Sequence, residues 1–332
     1  MSAAGRALEA PRLRQIEAAR ERLAGLVVRT PLLRLHVDAP AEIWLKLENL
    51  QPIGSFKLRG AGNAMRAAAP ESLARGVLTA SAGNMAQGVA WCARAMGVPC
   101  TVVVPDDAPQ TKLAAIRRLG GSIVPVPFPR WWAALQEHRF EGIEGRFVHP
   151  VSDTEVMAGN GTIGLELLDD LPEMDAVVIP FGGGGLSTGI ASALRARGSR
   201  ARIYAAEVET AAPLSASLAA GEPRTIERRP SFVDGIGGQG VLPEIWPLAC
   251  RLLDGALVVS LEEIAAAMRL LSERARVVAE GAGAAPVAAA LAGAAGGGRV
   301  VCIVSGGNID PAVLARILAG ESGTLVGTRP PR

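Results

Sequence analysis

The chain has 332 residues, 49% of them hydrophobic and 20% charged, with a formal net charge of +2. That length is enough for roughly two domains of about 150 residues each, and the composition excludes general disorder. Basic residues are balanced by acidic ones and cluster only in brief pairs such as Arg117–Arg118 and Arg228–Arg229, which argues against nucleic-acid binding and for a small-molecule protein.

The N-terminal "MSAAGRALEAPRLRQ" lacks the apolar stretch of a signal peptide, and no run of about 18 apolar residues predicts a membrane span. Residues 12–26 place Leu13, Ile16, Ala19, Leu23 and Leu26 at helical spacing. "EIWLKLE" (42–48) alternates apolar and polar positions as a half-buried strand does. "GVLTA" (76–80) precedes a helix from about Asn84, "CTVVVP" (100–105) one around 110–119, and "GSIVPVP" (121–127) a Trp-containing helical stretch. Beyond the polar loop 149–161 the alternation resumes with "DAVVIP" (175–180), "ARIYAAE" (201–207) and "RVVCIV" (299–304). These near-continuous β-branched runs suit strands covered on both faces. Strands separated by helices predict β-α-β units, parallel open sheets and the α/β class. Cys92, Cys100, Cys250 and Cys302 form no C-x-x-C pair, so neither a disulfide scaffold nor a zinc site is expected and the cytoplasm is the natural compartment. His36, His138 and His149 show no metal-ligand spacing and read as surface or loop residues.

Three loops follow predicted strands directly: "SAGN" (81–84), "FGGGG" (181–185) and "SGGN" (305–308). In parallel α/β sheets ligands collect beyond the carboxyl ends of the strands. Gly182, Gly183, Gly184 and Gly185 can close their amides around an anion, aided by the helix that begins there. A Rossmann site is the nearest rival, kept open by Glu207 at a strand end, but G-x-G-x-x-G fails at Ser187 or Thr188, and no P-loop motif occurs. Lys57, in "IGSFKLRG" (53–60), sits just past an apolar strand beside a glycine turn. A phosphate cradle together with a sequestered lysine points to pyridoxal phosphate, whose aldehyde a lysine amine can hold.

The stretch "KLENLQPIGSFKLRGA" (46–61), with "SAGN", Gly182–Gly185 and "SGGN" in that order, resembles the fold-type II pyridoxal phosphate enzymes, nearest to the serine/threonine dehydratases and serine racemases. The likeness runs from about Arg29, whose "RTPL" also matches, to about Ile317. It implies a tryptophan synthase β-like fold with a large cofactor-binding domain (1–61 and 156–332) and a small inserted α/β domain (62–155). It also implies an amino-acid substrate and a homo-oligomer with a dimer favoured; because the sequence stops soon after "SGGN", no appended regulatory domain is expected. Lys57 is then the Schiff-base lysine and the acid/base at the substrate α-carbon. Phe56 lines the cofactor, Asn84 bonds its ring hydroxyl, Gly182–Gly185 hold its phosphate and Ser305 bonds its ring nitrogen. Ser81, Ala82, Gly83 and Met85 fall at the substrate; the stretch 127–138 is unlike its family counterparts, but its Arg130 offers a guanidinium that can pair a substrate carboxylate. The implied reaction eliminates water from a β-hydroxy amino acid, giving a 2-oxo acid and ammonia.

The sequence departs from the family's pattern at several positions. Met85 replaces the histidine common after Ser-x-Gly-Asn, and Ala82 replaces the serine that serves racemases on the opposite cofactor face. With Trp131 and Trp132, Met85 suggests a bulkier 3-hydroxy amino acid. Glu207 and Ala211 match two members of the family's cation site, but Pro213 stands where a carboxylate is needed, so no metal is expected. Racemisation or β-replacement on the same cofactor is the alternative, and a nucleotide-binding module without chemistry a more distant one.

Overall fold

The computed structural model describes residues 8–323 and Leu325. Strands are numbered in chain order. One sheet has six, in the order β1 (Leu32–Arg34), β2 (Glu42–Lys46), β10 (Arg299–Ile303), β7 (Ala176–Pro180), β8 (Arg202–Val208) and β9 (Gly255–Val259). The other has four, in the order β5 (Ser122–Val126), β4 (Cys100–Pro105), β3 (Val77–Ala80) and β6 (Arg146–Phe147). Every pairing is parallel except β1 against β2. Register is set in the middle of the larger sheet, where Val300 faces Ile43 on one side and Ala176 on the other. All of β7 is buried, as are four residues of β10, because helices cover both faces. The α/β expectation holds. β1, β6 and β9 lie outside the strands read from sequence; all three are edge strands, and Val258 on β9 is exposed.

Because the strands run in parallel, their carboxyl ends deliver loops to one side of each sheet. Residues 81–84 follow β3, 181–185 follow β7, and 304–308 follow β10. The helix Lys57–Arg66 buries Leu58, Ala61, Ala64 and Met65 in a core shared with the helix Asn84–Met96 and with β4. Its other side meets the helix Thr154–Asp170 at very close range. A Cβ at Gly159 would stand 2.3 Å from the Arg59 carbonyl oxygen, so this crossing admits no side chain.

An ionic network fixes the start of the Lys57 helix. Arg59 is about 1% exposed and forks onto two carboxylates, Glu48 at 2.8 Å through Nε and Nη2 and Glu166 at 2.7 and 2.9 Å through Nη1 and Nη2. Lys46, also fully buried, pairs with Glu166 at 2.6 Å and donates to the Thr30 carbonyl at 2.7 Å. The Thr30 hydroxyl in turn donates to Glu48 at 2.6 Å. Burial alone would raise the Glu48 pKa, but Arg59 overrides it and holds the carboxyl below its ordinary value. Its stabilisation is therefore present above the unfolded carboxylate pKa of ~4.3 and is lost as pH falls through the lower folded value.

Arg59→Met is expected to lower the unfolding free energy in urea by about 3–5 kcal/mol, since two buried carboxylates lose their shared partner. Arg59→Lys, with a point charge in place of the fork, is expected to recover only part of that loss. An Arg59→Met melt superimposable on wild type would show that the network does not hold the helix.

Candidate active site

The chain contains three lysines, Lys46, Lys57 and Lys112. Lys46 is locked to Glu166 in the interior, and Lys112 is paired with Asp234. Lys57 donates instead to a backbone carbonyl, that of Pro150, at 2.9 Å, and its Nζ lies 5.1 Å from the centre of the Phe56 ring. Burial pushes its pKa down to about 8, against the opposing pull of Glu280. A desolvated amine with a lowered pKa is what a lysine nucleophile requires.

The "SGGN" loop is stitched to the segment that carries Lys57. The Phe56 amide donates to the Ser305 carbonyl at 3.0 Å, and the Gly307 amide to the Gly54 carbonyl at 2.9 Å. Ser305 is buried beside this seam. The "SAGN" loop joins through Asn84, whose Nδ2 donates to Glu280 Oε1 at 2.9 Å and whose Oδ1 accepts from Asn308 Nδ2 at 2.8 Å. Ser81 tightens its own loop, with its Oγ accepting from the Gly83 amide at 3.2 Å, and Ala82 packs against the small-sheet core.

The glycine loop lies against the loop that holds Pro150. A Cβ at Gly183 would come within 2.4 Å of Val151 Cγ2, and one at Gly182 within 2.9 Å of the Gly235 carbonyl oxygen. Gly184 adopts φ +93°, a left-handed conformation that glycine enters without penalty, just before the helix Gly185–Ala196. The loop is thus shaped by glycine and ends at a helix start, a combination suited to an anion. One residue, Val151, separates this cradle from the carbonyl that receives Lys57. Proximity of that kind suits a ligand carrying both a phosphate and an electrophile.

His149 anchors the same loop, and here the structure corrects the sequence reading: the side chain is in a loop, as read, but buried. Its Nδ1 accepts from the Val151 amide at 3.1 Å and the Ser152 amide at 2.6 Å. Burial first, then the neighbouring His138 and Lys57, push its pKa down to about 3, so the ring stays neutral and able to accept. Nothing in the local spacing announced this role. Asn308 lay in a quoted motif without an assigned part, and Glu280 carried no motif at all.

Met85 and Arg130 do not join the constellation. Met85 is 1% exposed and packs into the core with Leu58 and Ala61, so its side chain fills a gap there. Arg130 is on the solvent side of the helix Phe128–Glu137, with its guanidinium 5.3 Å from the Phe140 ring centre. Trp131 packs against Ala80, Val103 and Val126, while Trp132 is exposed and stacks on Phe128. The expectation of a bulkier substrate therefore has no side chain to carry it. Glu207 accepts the Leu214 and Ser215 amides at 2.8 Å each, so its oxygens cap the helix Pro213–Ala220. Among the described residues no group of three or more His, Cys, Asp or Glu side chains could hold a metal ion, and no helix is long and apolar enough to cross a membrane.

Comparison with known proteins agrees with this geometry. Residues 23–306 match the family model described as "Pyridoxal-phosphate dependent enzyme". The chain is 40% identical over 313 residues to the L-threonine ammonia-lyase of Thermotoga maritima, covering 92% of this chain and 78% of that one. Maize serine racemase superposes with a TM-score of 0.84 at 32% identity, over 94% of this chain and 98% of the other. The processed form of threonine deaminase isoform 2 from Solanum lycopersicum does so with a TM-score of 0.83 at 29% identity, over 96% and 94%. A match across most of the chain, with the three loops and an unpaired lysine converging at the strand ends, places it: the chain belongs to the pyridoxal-phosphate dependent enzyme family.

Proposed function

We propose that the protein is a threonine/serine dehydratase-type ammonia-lyase: water is eliminated from a β-hydroxy amino acid, and the released enamine takes up water again to give a 2-oxo acid and ammonia. The observation that carries this reading is Lys57, the one lysine without a carboxylate partner, held one residue away from the glycine cradle. The 40% identity to a threonine ammonia-lyase supports the choice of reaction.

When bound, pyridoxal phosphate supplies an aldehyde for an amine and a conjugated ring that stabilises negative charge at the substrate α-carbon. The amides of Gly182–Gly185 are suited to its phosphate, and the shape of the cradle fits, since a Cβ at any of the four would meet a neighbour at 3.0 Å or less. Phe56 lies beside Lys57 Nζ and offers an apolar wall. Ser305 offers a neutral hydroxyl to the ring nitrogen. A hydroxyl does not hold that nitrogen protonated as a carboxylate would, which favours loss of a β-leaving group over transamination. Lys57 Nζ, with its lowered pKa, takes the α-proton and can return it. Ser81, Ala82 and Gly83 form the wall on the far side, where the Ala82 methyl can neither give nor take a proton.

On this reading the chain divides into a large unit (1–61 and 156–332) and a small one (62–155). All four strands of the smaller sheet fall inside the latter, and the two boundaries fall within the helices Lys57–Arg66 and Thr154–Asp170 that pack on each other. The reading includes a cytoplasmic homodimer; four free thiols are consistent with the compartment.

Lys57→Ala is expected to lose both the yellow, borohydride-sensitive absorbance and 2-oxo acid release from threonine. Peptide mapping after borohydride that finds the label on Lys46 or Lys112 would sink the assignment. Gly183→Ala should weaken cofactor binding about ten- to a hundredfold, the overpacking of a rigid site being worth about 1–3 kcal/mol. Val151→Ala added to it should restore part of the affinity; unchanged binding in Gly183→Ala would move the phosphate elsewhere. With serine as substrate, chiral chromatography should find 2-oxo acid well ahead of inverted serine, because a placed acid or base is worth roughly 10²–10⁴ in rate and Ala82 is neither. Inversion outpacing elimination would favour the racemase reading.

A further inference from the structure

Glu280 precedes the helix Gly281–Leu291, belongs to none of the quoted motifs, and is buried where they meet. Its amide donates to the Gly306 carbonyl at 3.0 Å. A Cβ at Gly306 would stand 2.6 Å from its Oε1, so the glycine of "SGGN" leaves room for this carboxyl. Oε1 accepts from Asn84 Nδ2 at 2.9 Å, Asn84 Oδ1 accepts from Asn308 Nδ2 at 2.8 Å, and the same Asn308 Nδ2 donates to the Ile53 carbonyl at 2.8 Å.

The direction of this chain of bonds is fixed at its origin. A backbone carbonyl only accepts, so Asn308 must turn its amide nitrogen toward Ile53, and that same nitrogen faces Asn84. Asn84 therefore presents oxygen to Asn308 and nitrogen to Glu280. Either orientation of a lone asparagine costs nothing; held at both ends, this one has a single orientation, with one N–H still uncommitted.

We propose that Glu280 is a positioning residue for the cofactor ring: by accepting one N–H of Asn84 it directs the other toward the ring hydroxyl. The inference rests on the pyridoxal phosphate reading above and adds to it a residue that acts only through Asn84. A neutral carboxyl serves as well as an ionised one, because it keeps an acceptor oxygen. That matters here, since burial, with Asp234 adding to it, pushes the Glu280 pKa up to about 8, against Lys112, Asn84 and Lys57.

The test uses the full chain stripped of cofactor and titrated with pyridoxal phosphate, read by affinity and by the position of the visible maximum. Glu280→Ala, which leaves Asn84 held by Asn308 alone, is expected to bind about tenfold more weakly, the effect of losing one hydrogen bond, and to show a displaced maximum. Glu280→Gln mimics the neutral carboxyl and is expected to keep the wild-type maximum and an affinity within about twofold, a hydrogen-bond acceptor being conserved. Should the alanine variant fail to fold, Glu280→Asp, which draws the acceptor back by one methylene, is expected to reproduce the displaced maximum. The proposal is overturned if a folded Glu280→Ala or Glu280→Asp holds the wild-type maximum and affinity, or if Glu280→Gln is as impaired as Glu280→Ala. A wild-type protein with no borohydride-sensitive band would instead defeat the cofactor reading itself.

Discussion

The site depends on a charge buried two residues from its lysine. Arg59 cannot be deprotonated and cannot reach water, so the fold must bring it two carboxylates, and it does so from separate segments of the chain. Glu48 comes from the turn after β2, Glu166 from the helix Thr154–Asp170. Lys46 and Thr30 complete the set. Two cations and two anions, all nearly without solvent, balance only when these segments are in register. A buried network of this kind is a weak source of stability compared with an apolar core, but it is intolerant of misplacement. That intolerance is transmitted directly to Lys57, which begins the same helix.

From that fixed helix, the remaining geometry is carried largely by backbone. Lys57 meets a carbonyl, the "GSF" and "SGGN" segments exchange backbone hydrogen bonds, and the glycine cradle is shaped by Val151 and Gly235. His149 belongs to the same scheme, since a neutral ring that accepts two successive amides fixes the turn from Pro150 to Ser152. Placement by backbone tolerates changes in surrounding side chains, which is how Val151 and Ala82 can stand at the site without disturbing it. It also explains the many glycines: where main chain must approach main chain, a Cβ is an obstacle.

The sequence was most legible where function is local. Apolar runs marked seven strands of the two sheets, and the loops after β3, β7 and β10 could be read as ligand-binding because each follows its strand at once. Lys57 stood out beside Phe56 and its glycine turn. The edge strands β1 and β6, of three and two residues, are too short to show a period. β9 was missed because "GALVV" has neither alternation nor a continuous branched run, and its half-exposed face gives a mixed signal. Glu280 and His149 could not be found locally, as their partners are 196 residues away in one case and backbone amides in the other. Met85 and Arg130 were misplaced for a different reason. Position along a motif specifies where a Cα lies, whereas the direction of a side chain on a helix depends on what the helix packs against. Met85 turns toward the core and Arg130 toward water.

The distribution of basic residues has chemical consequences as well. The chain carries 31 arginines against three lysines. An arginine supplies charge for ion pairs without offering an amine that an aldehyde can capture. Of the three lysine amines, Lys46 is buried against a carboxylate and Lys112 is paired with Asp234. At neutral pH a lysine with a pKa of about 8 is about a tenth neutral, against roughly one part in 2500 for an ordinary lysine at ~10.4. On the proposed reading, selectivity for Lys57 arises twice, from the scarcity of competing lysines and from the desolvation that lowers the pKa of this one. The arginine fork that fixes the helix and the lysine that begins it are two uses of the same division of labour.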